Sequence, residues 1–134
     1  MTLPVLFVTA LALVNKQKQI LLAQRPEGKE MAGLWEFPGG KIKEGEPPDI
    51  ALVREIKEEL DINLLPENLT PTTFAAHNYP RFHLFMPLYL CRTWQGDPHP
   101  MEGQKIAWVS LRDFSSYPMP PADAPLAARL EKIL

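Results

Sequence analysis

The sequence predicts a mixed α/β (α+β) domain in which a mixed β-sheet is covered by helices. Its candidate elements run strand, strand, helix, strand, strand, helix, an order typical of such layered domains. The 134 residues are about the length of one ordinary domain, and the hydrophobic content of 46% is enough to form a core. We therefore expect a single domain spanning residues 1–134.

The amino-terminal part supplies two strands. Leu3–Val14 is apolar, with β-branched and aromatic residues that suit a buried strand, and no Lys or Arg precedes it as in a signal peptide. A polar turn, Asn15–Gln19, leads to a second apolar strand, Ile20–Arg25, and the two strands are expected to form a hairpin. Pro26–Gly33 is predicted to be a loop and Leu34–Phe37 a short extended piece.

A glycine bend and a helix follow. Pro38–Gly40 is expected to be a sharp bend in which two glycines let the backbone approach a neighbour closely. Glu46–Asp49 marks a helix start, because proline is tolerated in the first helical turn. The helix is expected to end near Leu60, and its apolar stripe consists of Leu52, Val53, Ile56 and Leu60.

The carboxy-terminal half is predicted to contain two strands and a helix. The chain between the first helix and residue 82 is expected to be a loop containing proline and asparagine. Two apolar strands follow, Phe82–Cys91 and Lys105–Ser110. The proline-rich stretch PMPPADAP is expected to be a rigid loop that leads into an amphipathic helix, Leu126–Leu134.

Composition limits the classes of partner. With 14 Lys and Arg against 16 Asp and Glu, the net charge is −2, so nothing favours binding to DNA, RNA or an acidic membrane. An anionic ligand must therefore be bound locally. The one cysteine, Cys91, lies in an apolar stretch and is expected to be buried. The absence of a second cysteine favours a reducing, cytoplasmic location.

The stretch REIKEELDI, residues 54–62, concentrates negative charge on one helix face. Glu55, Glu58 and Glu59 project within about 100° of arc, and each like-charge pair costs a few tenths of a kcal/mol. Such a face can be merely solvated. A divalent cation would instead turn the repulsion into coordination, and Mg²⁺ prefers such oxygen ligands. Ca²⁺ is less favoured, because the chain has no DxDxDG-type loop.

The spacing of this region resembles the Nudix box, G-x5-E-x7-R-E-U-x-E-E-x-G-U, where U is aliphatic. The matching residues are Gly40, Glu46, Arg54, Glu55, Ile56, Glu58, Glu59 and Ile62. Asp61 replaces the final glycine, which often has left-handed backbone angles at a helix end. We expect Asp61 to tolerate them at a cost of about 1 kcal/mol. The segments LLAQRP, GLWEFPGGKI, EGQ (102–104) and PPAD (120–123) resemble the MutT-like branch of the family.

The resemblance implies an α/β/α sandwich and a Mg²⁺-dependent enzyme, with Mn²⁺ as a possible substitute. MutT-like members convert nucleoside triphosphates to the monophosphate and pyrophosphate. The implied metal ligands are Glu55, Glu58, Glu59, Glu102 and the carbonyl of Gly39. The implied general base is Glu55, Glu58 or Glu102, with a box glutamate favoured. Arg54 is expected to orient the glutamates, with Glu46 in support.

The resemblance also implies a set of substrate-binding residues: Arg25, Glu36, Phe37, Pro38, Gly39, Lys41 and Asp123. Lys41 is expected to reach a phosphate. Trp35 and Phe37 are core aromatics by default, and either could line the base pocket. The histidines, His77, His83 and His99, lack ligand spacing and are expected to be structural or exposed.

The choice of base depends on Asp123. The best-known substrate of the MutT-like branch is 8-oxo-dGTP. An ionised aspartate only accepts hydrogen bonds, which suits the ring N–H and amino group of guanine, whereas cytosine would favour a protonated aspartate. The alternatives are a CTP or pyrimidine triphosphate pyrophosphatase and a catalytically silent Nudix-fold binding module, although intact glutamates argue against the second. We expect a small nucleotide substrate and a monomer or weak dimer.

Overall fold

A computed structural model describes residues 2–134. Within these residues the chain forms seven strands and two α-helices. The strands are β1 (Val5–Leu13), β2 (Gln19–Gln24), β3 (Trp35–Glu36), β4 (Gly39–Lys41), β5 (Thr70–Asn78), β6 (His83–Cys91) and β7 (Lys105–Ser110), and the helices are α1 (Pro48–Leu60) and α2 (Asp123–Ile133). Short 3₁₀ turns occupy Pro66–Asn68 and Leu111–Ser116.

The strands form two sheets. The larger has the order β4-β1-β6-β5 and is mixed, because β1 runs parallel to β6 while the other pairs are antiparallel. The smaller has the order β3-β2-β7 and is antiparallel. No helix in the described part of the chain is long and apolar enough to cross a membrane.

Both faces of the central strands are buried. Ala10 and Ala12 of β1 belong to a cluster that contains Leu126 and Leu130 of α2. The alternate residues of β1, Leu11 and Leu13, belong to a second cluster that contains the apolar stripe of α1. Because successive side chains of a strand point to opposite faces, the two helices cover opposite sides of the sheets. The predicted α/β/α layers are confirmed.

The predicted hairpin is wrong. The turn at Asn15–Gln19 exists, and Val14 pairs with Ile20, but no further pairs join β1 to β2. Both strands are apolar on both faces, and each obtains its neighbours from other elements, so they diverge into separate sheets.

Three other expectations need correction. The loop expected before residue 82 contains β5, an edge strand whose register shifts between Pro71 and Thr73. Proline is tolerated at a sheet edge, which explains why the local pattern resembled a loop. The bend at Pro38–Gly40 becomes β4, which pairs with β1. The last helix begins at Asp123 rather than Leu126, because Pro125 fits within its first turn.

The predicted ends of α1 are confirmed. The helix begins at Pro48, and Asp61 follows it with φ 55° and ψ 38°, which are left-handed values. The N–H of Asp61 donates to the carbonyl of Lys57, and its carboxylate accepts a hydrogen bond from Lys57 Nζ at 2.8 Å. Aspartate thus adopts the conformation for which the glycine of the box is suited. Cys91 is fully buried, as expected.

Candidate active site

Two adjoining clefts share two of their lining residues. The first, here the apolar cleft, has a volume of about 210 Å³ and is lined by Phe37, Tyr79, Phe82, Met86 and Asp123, among others. The second, here the acidic cleft, has a volume of about 320 Å³ and is lined by Pro38, Glu59, Glu102 and Gln104, among others. Arg25 and Glu36 line both clefts and therefore form the wall between them.

Arg54 organises the amino-terminal side of the acidic helix. Its Nε and Nη2 donate to the two carboxylate oxygens of Glu46, at 2.9 and 3.0 Å. Its Nη1 donates to Glu55 Oε1 at 2.9 Å, and its Nη2 also donates to the carbonyl of Lys41 at 3.0 Å. The hydrogen bonds from Arg54 lower the pKa of Glu46 from 4.5 to about 2. One guanidinium thus joins α1 to the segment that carries β4.

Glycine 40 leaves room for a carboxylate. A β-carbon added at Gly40 would collide with the carboxylate of Glu55. One added at Gly39 would instead collide with the backbone of Thr9 in β1. The two consecutive glycines therefore serve different purposes: Gly39 allows β4 to approach β1, and Gly40 allows Glu55 to lie against β4.

Glu59 is the most perturbed glutamate of the helix. Burial, and then the nearby carboxylates of Glu102 and Glu55, raise its pKa from 4.5 to about 9. Glu36 adds a smaller contribution of the same sign, whereas a hydrogen bond from the N–H of Gly39 opposes the shift. Several negative groups thus surround one partly buried carboxyl group, which costs free energy unless a proton or a cation is bound.

Glu102 reaches Glu59 because its loop docks on the end of α1. The carbonyl of Glu59 accepts hydrogen bonds from the N–H of Met101 at 3.0 Å and from Gln104 Nε2 at 3.1 Å. The side chain of Gln104 also accepts a hydrogen bond from the N–H of Glu102 at 2.8 Å. The last carbonyls of a helix have no partner within the helix, so this loop satisfies them and places Glu102 beside the acidic helix.

The donor set of the acidic cleft fits a hard divalent cation. Glu59 and Glu102 line the cleft, and Glu55 and the backbone of Gly39 lie near Glu59, so four groups offer oxygen atoms. Burial, and then the neighbouring carboxylates, raise the pKa of Glu59, and a bound cation would offset that repulsion. Within residues 2–134, however, no three His, Cys, Asp or Glu side chains lie close enough together to form a ready metal site. Glu55 Oε1 accepts a hydrogen bond from Arg54, which leaves Oε2 able to bind a metal ion.

Asp123 is the polar group of the apolar cleft. It is 5% exposed, and its Oδ2 accepts a hydrogen bond from the N–H of Phe37 at 3.1 Å. Burial, and then the charge of Glu36, raise the pKa of Asp123 from 3.8 to about 7. The hydrogen bond to Phe37 uses one oxygen, which leaves the other able to pair with a ligand.

The wall between the clefts is an ion pair. Arg25 Nε donates to Glu36 Oε2 at 2.9 Å, and Arg25 Nη1 donates to the carbonyl of Glu30 at 3.2 Å. Burial raises the pKa of Glu36, and Arg25 opposes that shift. The guanidinium of Arg25 therefore faces both the apolar cleft, which is about the size of a nucleobase, and the acidic cleft.

The structure brings most of the predicted residues to the two clefts. Glu55 lines neither cleft, although its charge acts on Glu59, and Gly39 lines the apolar cleft rather than the acidic one. Glu58 is exposed, lines neither cleft, and lies 3.6 Å from Arg54 Nη1. Lys41 lines the apolar cleft rather than the acidic one. Trp35 packs against Tyr117 with ring centroids 5.1 Å apart and lines neither cleft, so Phe37 is the aromatic that lines the pocket.

The sequence did not identify Tyr79 and Phe82, which lie in the turn between β5 and β6 and line the apolar cleft. It also missed the docking role of Gln104. The sequence did offer one sign, because residues 79–82 have an aromatic residue on each side of a proline and an arginine. Without knowledge of β5, however, the sequence could not place these aromatic residues beside Asp123.

A family model described as a NUDIX domain matches residues 9–129 of the chain. The 8-oxo-dGTP diphosphatase of Escherichia coli K12 is 34% identical over 119 residues, which cover 89% of this chain and 91% of that protein. The CTP pyrophosphohydrolase of the same organism is 37% identical over 117 residues, which cover 86% of this chain and 84% of that protein.

Solved structures agree with the sequence matches. A MutT structure from a study of Aliivibrio salmonicida and Vibrio cholerae superposes with a TM-score of 0.82 and 29% identity. The match covers 97% of this chain and 99% of that one. The layered fold is therefore shared along almost the whole chain.

Proposed function

This chain belongs to the Nudix family and is a hydrolase of phosphorus anhydrides, and on that premise we propose that it converts 8-oxo-dGTP to 8-oxo-dGMP and pyrophosphate. The proposed role of this reaction is to remove an oxidised nucleotide from the nucleotide pool before replication. One observation carries the proposal: a base-sized apolar cleft and an acidic cleft share a wall made of Arg25 and Glu36.

The shared wall suits a nucleoside triphosphate. The base would lie in the apolar cleft against Phe37, and the phosphates would extend past Arg25 into the acidic cleft. Arg25 can then pair with a phosphate oxygen, because its guanidinium lies between the two volumes. Lys41, on the rim of the apolar cleft, supplies a second cation for the nucleotide.

The acidic cleft suits the chemistry of anhydride cleavage. We assign the metal ligands to Glu55, Glu58, Glu59, Glu102 and the carbonyl of Gly39. A bound Mg²⁺, or Mn²⁺ in its place, would neutralise the phosphate oxygens and orient the attacking water. A box glutamate, Glu55 or Glu58, then accepts the proton of that water, with Glu102 as the alternative base. Arg54 holds Glu55 at a fixed distance from β4.

Asp123 favours guanine over cytosine when it is ionised. Its free oxygen accepts from the ring N–H and the amino group, which 8-oxoguanine and guanine share. The pKa of about 7 makes both protonation states accessible near neutral pH. A protonated Asp123 can donate to the ring nitrogen of cytosine, so CTP is the second candidate substrate, as the resemblance to a CTP pyrophosphohydrolase also suggests.

The proposal is tested by kcat/KM with Mg²⁺ on 8-oxo-dGTP, dGTP, CTP, 5-methyl-dCTP and ADP-ribose. We expect the highest value for 8-oxo-dGTP, with 8-oxo-dGMP and pyrophosphate as products. A preference for CTP would establish the alternative. A preference for ADP-ribose, or no turnover of any nucleotide as in a silent binding module, would contradict the proposal.

A pair of variants connects the activity to the acidic helix. Glu58→Gln is expected to lower kcat by about 10²- to 10⁴-fold, the usual contribution of a positioned catalytic carboxylate. Its metal-free stability should equal or exceed that of the wild type, because one like-charge repulsion is removed. Glu131→Gln, an exposed change on α2, is the matched control and should leave both unchanged. Substantial turnover by Glu58→Gln would refute the metal-site assignment.

A further inference from the structure

We propose that Tyr79 is a specificity-determining residue, whose hydroxyl donates a hydrogen bond to the 6-oxo group of a purine held by Asp123. The inference rests on the proposed function, since it deepens the account of the apolar cleft. Tyr79 belongs neither to the Nudix box nor to the other predicted site residues.

The ring of Tyr79 is fixed on the cleft wall by aromatic contacts and by a turn. Its centroid lies 5.1 Å from that of Phe82 and 4.5 Å from that of His77. The N–H of Tyr79 donates to the carbonyl of Phe82 at 2.9 Å, which closes the β5–β6 turn. Tyr79 and Phe82 both line the apolar cleft, so the turn presents a pair of rings to its interior.

The hydroxyl of Tyr79 touches the loop that carries Asp123. The N–H of Ala122 donates to Tyr79 Oη at 3.3 Å. The same loop is attached at two further points, where Trp35 N–H donates to the carbonyl of Pro118 at 2.7 Å and Phe37 N–H donates to Asp123 Oδ2 at 3.1 Å. Tyr79 thus joins the segment before α2 to the turn that follows β5.

The hydroxyl proton of Tyr79 is available for donation to a ligand. The hydroxyl oxygen already accepts from Ala122, and within residues 2–134 no protein acceptor receives its proton. A phenol can donate one hydrogen bond while it accepts another. Because the ring lines the cleft and the hydroxyl lies beside the Asp123 loop, the cleft presents one donor from Tyr79 next to one acceptor from Asp123.

This polarity matches a 6-oxopurine and opposes a 6-aminopurine. Guanine offers its 6-oxygen as an acceptor beside the ring N–H and amino donors, so Tyr79 can donate to the oxygen while ionised Asp123 accepts from the donors. A purine with an amino group at position 6 would place a donor against the phenol proton. The oxygen of the phenol, occupied by Ala122, is poorly placed to accept from that amino group.

The test compares kcat/KM for dGTP and for 2,6-diaminopurine deoxyribonucleoside triphosphate in the wild type and in Tyr79→Phe. The wild type should prefer dGTP, and Tyr79→Phe should reduce that preference by about tenfold, the effect of one lost hydrogen bond. The loss should appear in KM for dGTP, with kcat within about threefold. Asp123 contributes to the preference in both proteins, so its effect cancels in the comparison.

Tyr89→Phe is the matched control, because Tyr89 packs against the cluster on the opposite face of the sheet and should leave the preference unchanged. If Tyr79→Phe weakened both purines equally, the hydroxyl would only anchor the loop, and the inference would be overturned while the proposed function stood. If the wild type hydrolysed neither 8-oxo-dGTP nor dGTP, both would be overturned. Thermal unfolding of each variant establishes that the fold is intact.

Discussion

Arg54 binds both carboxylate oxygens of Glu46, through Nε at 2.9 Å and Nη2 at 3.0 Å. The same guanidinium donates to Glu55, so the position of a proposed metal ligand depends on a residue that does not itself touch the substrate. A planar guanidinium can make these bonds simultaneously, whereas an ammonium is a compact charge without the fork geometry.

Arg54→Lys is therefore expected to lower kcat by about 10- to 100-fold, the usual cost of losing a residue that orients a metal ligand. KM should change by less than about threefold, because Arg54 lines neither cleft. Steady-state kinetics at saturating Mg²⁺ measure both values. Arg112→Lys, at an exposed site, is the control. An unchanged kcat would show that charge at position 54 is sufficient.

Alanine substitution at Gly39 should mainly reduce stability, whereas alanine at Gly40 should mainly reduce kcat. Gly39→Ala places a β-carbon against the backbone of Thr9, which cannot move without disturbing β1, so we expect a loss of about 1–3 kcal/mol in the free energy of unfolding. Gly40→Ala meets the carboxylate of Glu55, which can rotate away, so stability should fall by less than about 1 kcal/mol. Displacement of that carboxylate should lower kcat by about 100-fold. Urea unfolding and kinetics on both variants distinguish the two effects, and equal stability losses would argue against the separate roles.

Local sequence signals predicted the acidic helix and its ends, because a fixed motif spacing and a helical apolar stripe both lie within 23 residues. They failed for the hairpin, because Asn15–Gln19 favours a turn regardless of which strands pair beyond it. They failed for β5 because Pro71 and its polar neighbours resemble a loop unless β6 is known to lie beside them.

The base pocket was only partly predictable for a related reason. Asp123 was identified by resemblance, but its contacts with Phe37 and its proximity to Tyr79 join segments that are 86 and more than 40 residues apart. Such contacts are set by how the sheets and the α2 loop pack, which no periodicity in the sequence encodes. Glu102 could be proposed as a ligand, whereas the docking of its loop through Gln104 required the structure.

Metal-free stability should fall as pH rises from about 4.5 to about 9, because the folded state retains a proton on Glu59 that the unfolded state releases. A carboxyl group with a raised pKa stabilises the fold below its unfolded pKa and ceases to do so above its folded pKa. Glu59→Gln should flatten this dependence. Thermal unfolding between pH 5 and pH 9 in a chelating buffer measures it, and Mg²⁺ should raise the midpoint more in the wild type than in the variant. An identical pH dependence in both proteins would contradict the burial of Glu59.

The choice between guanine and cytosine should depend on pH. Asp123, with a pKa of about 7, faces Glu36, Arg25 and Tyr79, and its ionised fraction rises about tenfold between pH 6 and pH 8. The protonated fraction falls about tenfold over the same range, so the ratio of kcat/KM for 8-oxo-dGTP to that for CTP should rise by up to about 100-fold. Use of a ratio cancels the titration of groups that contact the phosphates. Asp123→Asn should give a flat ratio, and Asp123→Ala should lower kcat/KM for 8-oxo-dGTP and dGTP by similar factors, because both bases present the same donors to Asp123. A flat wild-type ratio would remove the charge of Asp123 from base selection.

Asp61→Gly is expected to stabilise the fold without altering activity. Its backbone angles of 55° and 38° cost aspartate about 1 kcal/mol relative to glycine, whereas the exposed contact with Lys57 contributes about 0.3–0.5 kcal/mol. The net gain should be about 0.5 kcal/mol, with kcat/KM unchanged within about twofold because Asp61 lines neither cleft. Asp61→Ala loses the contact and keeps the strain, so it should be less stable than Asp61→Gly by about 1 kcal/mol. Urea unfolding at pH 7 in metal-free buffer measures both, and equal stability of the two variants would show that the left-handed backbone carries no cost at this helix end.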